Sequence, residues 1–121
     1  MNDEPMIVFY AHSMGIYNTP QEDRDLELLV DLGFKVLNPN KPEHQKGYKT
    51  KGMEYSIDLL EKCDILAFRS LPCGSIPSGI FKEIGYAKML HLSIIELPSG
   101  ILRREMTLEQ TREYLRERGE R

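Results

Sequence analysis

Cysteine is scarce in this chain: Cys63 and Cys73 are its only two, and their spacing matches no metal-ligand pattern. No stretch approaches the roughly 20 consecutive apolar residues that cross a bilayer. No leader with an apolar core and a small-residue cleavage site precedes the first strand. Together these point to a reduced, cytoplasmic protein with no membrane partner, its thiols free rather than joined in a Cys63–Cys73 bridge. A basic excess is missing too: 16 Lys and Arg are interleaved with 19 Asp and Glu, for a net charge of −3. That leaves no electrostatic footprint for a nucleic-acid polymer. The mixed-sign run from Arg103 to Arg121 reads as a solvated helix face. There is no internal repeat and no low-complexity segment. What remains is 121 residues, 40% apolar and 29% charged, enough for one domain over 1–121 with one core.

Met6 to Ala11 is a short apolar run rich in β-formers, suited to a strand buried on both faces. A polar loop follows from His12 to Asn18. Thr19-Pro20-Gln21-Glu22 then reads as a capping box, with Thr19 as N-cap and Glu22 reaching back. Leu26, Leu29, Val30 and Leu32 supply that helix with an apolar face, and Gly33 closes it. Phe34 to Leu37 is strand two. Asn38-Pro39-Asn40-Lys41-Pro42 ends it, and the polar run to Gly52 reads as a mobile loop and a possible lid.

Met53, Ile57, Leu60 and Cys63 recur at helical spacing, and strand three follows the acidic turn at Asp64. A helix is predicted from Ser78 to about Leu90, with Ser78 as its N-cap, then strand four from Leu92 to Leu97. Thr107 with Gln110 opens a C-terminal helix, and Ile101-Leu102 is a weak edge segment. Alternating strands and helices imply an α/β fold: a doubly wound, flavodoxin-like (Rossmann-like), mostly parallel sheet of four to five strands in three α/β/α layers.

Ser78-Gly-Ile-Phe-Lys-Glu-Ile-Gly-Tyr-Ala87 is the segment richest in chemistry. It follows a Gly/Ser/Pro-rich loop at a strand's carboxyl end, where open α/β sheets bind ligands and helix amides attract anions. Glu83 lies one turn past the helix start, at the border of core and crevice. Gly74, Ser75, Ser78 and Gly79 are candidate binding residues on the same loop and helix start. Ser13, Gly15 and His12, after strand one, form the other wall, and His12 is a candidate acid-base group. Each has a plainer role to set beside this one: a solvated helix acid, a turn, a cap, an inert loop histidine. Tyr17, Tyr48 and Tyr55 suit stacking on a flat ligand through their π-faces or simple loop cover, the latter for at least two of them.

Tyr10-Ala11-His12-Ser13-Met14, Asn38-Pro39, Cys63-Asp64-Ile65 and above all Gly79-Ile80-Phe81-Lys82-Glu83-Ile84-Gly85-Tyr86-Ala87 give the chain a further character. Over roughly residues 6 to 97 it resembles the nucleoside 2-deoxyribosyltransferase-like superfamily, which includes deoxynucleoside-monophosphate N-glycosidases and uncharacterised phage and archaeal relatives. The resemblance implies that Glu83 attacks the anomeric carbon of a nucleoside, while water or a second base resolves the intermediate. It also implies a homo-oligomer whose neighbouring subunits complete the pocket. The family's first-strand tyrosine aligns with Phe9, leaving Tyr10 as the nearby phenol. An aspartate expected eight residues before the strand-three acid falls on Ser56, which becomes a candidate substrate contact.

The leading expectation is therefore a nucleotide-processing enzyme that cleaves or exchanges the N-glycosidic bond of a deoxyribonucleoside or its 5′-monophosphate, with no cofactor and no metal. Its catalytic candidates are Glu83, Tyr10 and His12. A catalytically silent nucleotide-binding module of the same fold is the alternative, motivated by Phe9 and Ser56. A phospho-receiver lacks its acidic cluster here, because Tyr10-Ala11-His12 ends strand one. Ser13 to Thr19 is a poor flavin-phosphate loop.

Overall fold

A computed structural model of the chain describes residues 4–71 and 74–98. Four strands, β1 (Ile7–Ala11), β2 (Lys35–Leu37), β3 (Ile65–Phe68) and β4 (Ser93–Glu96), form one all-parallel sheet in the order β2-β1-β3-β4. Side chains alternate across it with period two. Val8, Tyr10, Ile65 and Ala67 pack with Leu29 of helix α1 (Pro20–Asp31) on one face. Phe9, Ala11, Leu66 and Phe68 pack with Leu59 and Leu60 of α3 (Glu54–Leu60) and Ile80 and Ala87 of α4 (Ser78–Met89) on the other. This is the predicted flavodoxin-like, three-layer α/β/α arrangement. Neighbouring strands β1 and β3 lead to helices on opposite faces, so their carboxyl ends diverge and leave a crevice between them.

Helix α1 starts as predicted, with Pro20 at its first position and the Glu22 amide on Thr19 Oγ1 at 3.4 Å. The Glu22 carboxylate reaches back one residue further than a capping box does, to the Asn18 amide at 3.0 Å. The buried face of α1 also differs from the apolar pattern. Val30 and Leu32 are 60% and 59% exposed, whereas Glu22, Asp25 and Leu29 are buried. Two carboxylates occupy inward positions because the interior holds partners for them, which hydrophobic periodicity cannot register. Gly33 closes the helix at φ 92°, a left-handed conformation that other residues resist.

The expected lid over 38–52 is instead a helix, α2 (Pro42–Lys51). It is polar all round, so it carries no apolar stripe to announce it. Its ends are nevertheless well formed: Pro42 and Glu43 open it, Lys49 and Lys51 complement the negative end of the dipole, and Gly52 ends it at φ 66°. α2 lies so close to α3 that a Cβ on Gly47 would stand 2.3 Å from ring atoms of Tyr55. His44 Nδ1 meets the Tyr55 hydroxyl at 2.9 Å, and the Tyr48 and Tyr55 rings pack edge to face at 5.1 Å.

Two smaller points position the rest. Asp64 ties the start of β1 to β3, its carboxylate accepting from the Ile7 amide at 2.8 Å and its own amide donating to the Ile7 carbonyl. Cys63 is a buried free thiol donating to the Leu59 carbonyl, and burial pushes its pKa up to about 12. Cys73, the Ile101-Leu102 segment, the Thr107–Gln110 capping box and the Arg103–Arg121 run lie outside the described residues. Among those that are described, no helix is long and apolar enough to cross a membrane.

Candidate active site

Glu83 lies on the second turn of α4, near the carboxyl end of β3, with only 8% of its surface exposed. Its helix begins without a side-chain cap: Pro77 holds the cap position, Ser78 is the first helical residue rather than the N-cap, and the Phe81 amide bonds back to the Pro77 carbonyl. One turn before Glu83 on the same face, a Cβ added at Gly79 would meet no atom within 4 Å. The helix thus leaves open space over the face that carries the acid.

Two hydroxyls hold the carboxylate. Ser56 of α3 donates to Glu83 Oε2 at 2.7 Å, and Tyr48 of α2 donates to the same oxygen at 3.3 Å while lying 2.7 Å from Ser56 Oγ. Oε1 accepts no hydrogen bond from the described residues. None of their buried side-chain oxygens lacks a partner, so Oε1 keeps an accessible face. Burial raises the pKa of Glu83 above its ordinary value, against the two hydroxyls, which pull it down. The Tyr48 phenol is raised as well, by burial and by the Glu83 charge, and stays a donor at neutral pH. The result is a desolvated carboxyl with one oxygen fixed and the other free, the arrangement a nucleophile or an acid-base group needs.

A second polar cluster lies behind the crevice, on the α1 side of the sheet. His12 Nδ1 is 3.0 Å from the Tyr10 carbonyl and Nε2 is 2.7 Å from Glu22 Oε2. A carbonyl can only accept, so Nδ1 carries a hydrogen, and one further proton bridges His12 and Glu22. Burial lowers the pKa of His12 against the pull of Glu22 and of that carbonyl. Burial would raise Glu22, but His12, the Asn18 amide and Asn40 hold it below its ordinary value. Tyr10 donates to Asp25 at 2.5 Å, and Asp25 also takes both arms of the Arg69 guanidinium, at 2.5 and 2.6 Å. Tyr10 and His12 stack at 3.7 Å, nearly parallel.

The predicted residues therefore separate. Glu83 and Ser56 meet, and Gly79 flanks them. Tyr10 is fully buried and bonded to α1, and both ring nitrogens of His12 are engaged, so the structure does not bring these two candidates to Glu83. Ser13 Oγ accepts from the Gly15 amide at 3.1 Å, spending both groups on the cap of a 3-10 turn, Met14–Ile16. Gly74 sits at φ 91° with its amide on the Leu71 carbonyl, forming a turn, while Ser75 and Ser78 lie exposed. Tyr48, read from the sequence as a loop tyrosine, is the addition. Its signal would have been the helical ends of α2, which place it one turn after His44. An open, shallow cleft lined by Arg24, Glu27, Leu28, Asp31 and Pro98 lies along α1, and it contains none of the predicted residues.

Among the described residues no cluster of three or more His, Cys, Asp or Glu is arranged to hold a metal ion. No protein-family model matches the chain, and no curated protein matches it.

Proposed function

We propose that this protein is a member of the nucleoside 2-deoxyribosyltransferase-like superfamily and that it cleaves or exchanges the N-glycosidic bond of a deoxyribonucleoside or its 5′-monophosphate, with Glu83 as nucleophile. The observation that supports this reading is the state of Glu83: buried on the second turn of α4, with one oxygen held by Ser56 and Tyr48 and the other without a partner among the described residues. In a retaining displacement the free oxygen bonds to C1′ as the base leaves, and water or a second base then takes the sugar. Holding Oε2 fixes the carboxylate's orientation before reaction, which is where positioning contributes to rate.

The test is incubation with a panel of deoxyribonucleosides and their 5′-monophosphates, with free base measured chromatographically. Wild type should release base and Glu83→Ala should not. A 2-fluoro-substituted sugar that slows turnover of a covalent intermediate should leave an adduct on wild type, visible by intact mass. Equal base release by Glu83→Ala would overturn the reading.

Ser56 favours a second reading. It presents a hydroxyl where the superfamily resemblance predicts a carboxylic acid, and the aligned first-strand aromatic, Phe9, is sealed in the core. A silent nucleotide-binding module would bind members of the same panel saturably with no Glu83-dependent turnover at high protein concentration.

A further inference from the structure

The hydroxyls that touch Glu83 are spent. Tyr48 and Ser56 are committed to Glu83 and to each other. Both nitrogens of His12 are engaged, and Ser13 Oγ accepts from the Gly15 amide. Tyr17, in the loop after β1, carries a hydroxyl with no hydrogen-bond partner among the described residues, on a side chain that is partly buried. Since no buried side-chain oxygen among them is left unsatisfied, this hydroxyl keeps access to solvent.

The turn that carries Tyr17 is rigid. Its amide donates to the Met14 carbonyl at 3.1 Å, and its ring lies 4.8 Å from that of His12, tilted by 46°. The next residue, Asn18, is left-handed at φ 61°, a conformation asparagine tolerates better than most residues. Asn18 is fixed there by its amide on Glu22 Oε1 and by Asn40 Nδ2 on its side-chain oxygen at 3.1 Å. Such a turn holds a side chain in place without help from a ligand.

Tyr17 is linked to both polar clusters, to one by ring contact and to the other only electrostatically. It rests on His12, while its phenol lies within electrostatic reach of Glu83 and of the Tyr48 phenol. Burial first, then the charges of Glu83 and Glu22, push its pKa up to about 12, so it is a protonated donor throughout the neutral range.

We propose that Tyr17 is a catalytic residue that hydrogen-bonds the departing nucleobase, opposite the carboxylate held by Tyr48 and Ser56. This rests on the glycosidic reading of Glu83. As Glu83 Oε1 bonds to C1′, the C1′–N bond breaks and its electron pair passes to the base. Tyr17 O–H donates to the base atom that receives this charge. With so high a pKa the phenol stabilises the base anion without surrendering its proton. Water then attacks C1′, the ester bond to Glu83 breaks with its electrons returning to the carboxylate, and the proton released by water neutralises the base.

Tyr17→Phe keeps the ring on His12 and deletes only the oxygen. In the base-release assay, kcat is expected to fall on the order of 10²-fold, the scale for one lost donor to developing charge, with KM little changed. The loss should be largest for nucleobases that leave poorly and smallest for those with electron-withdrawing substituents, a dependence that a structural role would not produce. An unchanged kcat with Glu83→Ala inactive would overturn the role of Tyr17 and leave the Glu83 reading standing. Activity surviving in Glu83→Ala would overturn both. If wild type binds the panel without turnover, calorimetry decides: several-fold weaker binding of a deoxyribonucleoside monophosphate by Tyr17→Phe supports contact with the base, and equal affinity, or no binding by wild type, overturns it.

Discussion

Ser56 on α3 and Glu83 on α4 stand 27 residues apart in the chain and share a 2.7 Å hydrogen bond in the protein interior. The contact makes the charge state of Glu83 depend on its neighbour. Ser56 pulls the pKa of Glu83 down against burial, so Ser56→Ala should raise it further and move the acidic limb of the rate profile to higher pH. Ser56→Asp should do more. Two carboxyls so close cannot both ionise, so the variant should lose stability as pH rises from 5 to 8. Chemical denaturation at the two pH values measures it; equal stability at both would refute the coupling.

The raised pKa of Glu83 has a thermodynamic sign. The folded protein holds this proton more tightly than the unfolded chain, whose Glu83 titrates near 4.5. Between that value and the raised one the native state binds more protons, so stability should fall as pH increases through the window. Glu83→Gln can still accept from Ser56 and Tyr48 and does not ionise there, so it should lack this decline and become more stable than wild type near neutral pH. Base release should show the opposite trend, rising as the carboxylate forms.

The packing of α2 on α3 can be tested by a single methyl group. Gly47→Ala places a Cβ 2.3 Å from the Tyr55 ring, which is itself held by His44 and Tyr48. Overpacking should cost about 1–3 kcal/mol and disturb Tyr48, so the midpoint of urea unfolding and any Glu83-dependent activity should fall together. Gly85→Ala, in open space on α4, should instead gain about 0.5–1 kcal/mol from helix propensity.

Arg69→Met should be among the most damaging substitutions outside the crevice. The guanidinium binds both oxygens of the fully buried Asp25 and donates to the Pro98 carbonyl, joining the end of β3 to α1. Removing it strands a buried charge, at about 3–5 kcal/mol. The companion variant Asp25→Asn/Arg69→Met should recover part of that loss in thermal unfolding.

Strand positions were legible in this sequence because each is a short apolar run bounded by turn residues, and parallel strands buried on both faces give just that pattern. Helix α4 was legible through its Ile80, Ile84 and Ala87 stripe. Helix α2 was not, because a polar helix has no stripe; its stability comes from end effects and from a glycine that lets a tyrosine ring lie against its backbone. The inward face of α1 was hidden for a related reason, since two of its buried positions are carboxylates.

At the site, spacing led to the expectation of Glu83 at the border of core and crevice, and the resemblance singled out Ser56. That Ser56 touches Glu83, that Tyr48 joins them and that Tyr10 and His12 turn away toward Asp25 and Glu22 was decided by tertiary packing. Sequence determines which side chains share a local face, because the helical and strand periods are local. Hydrogen bonds between groups tens of residues apart depend on how closely helices approach and on which side of a sheet a residue falls, and those are settled only when the layers close.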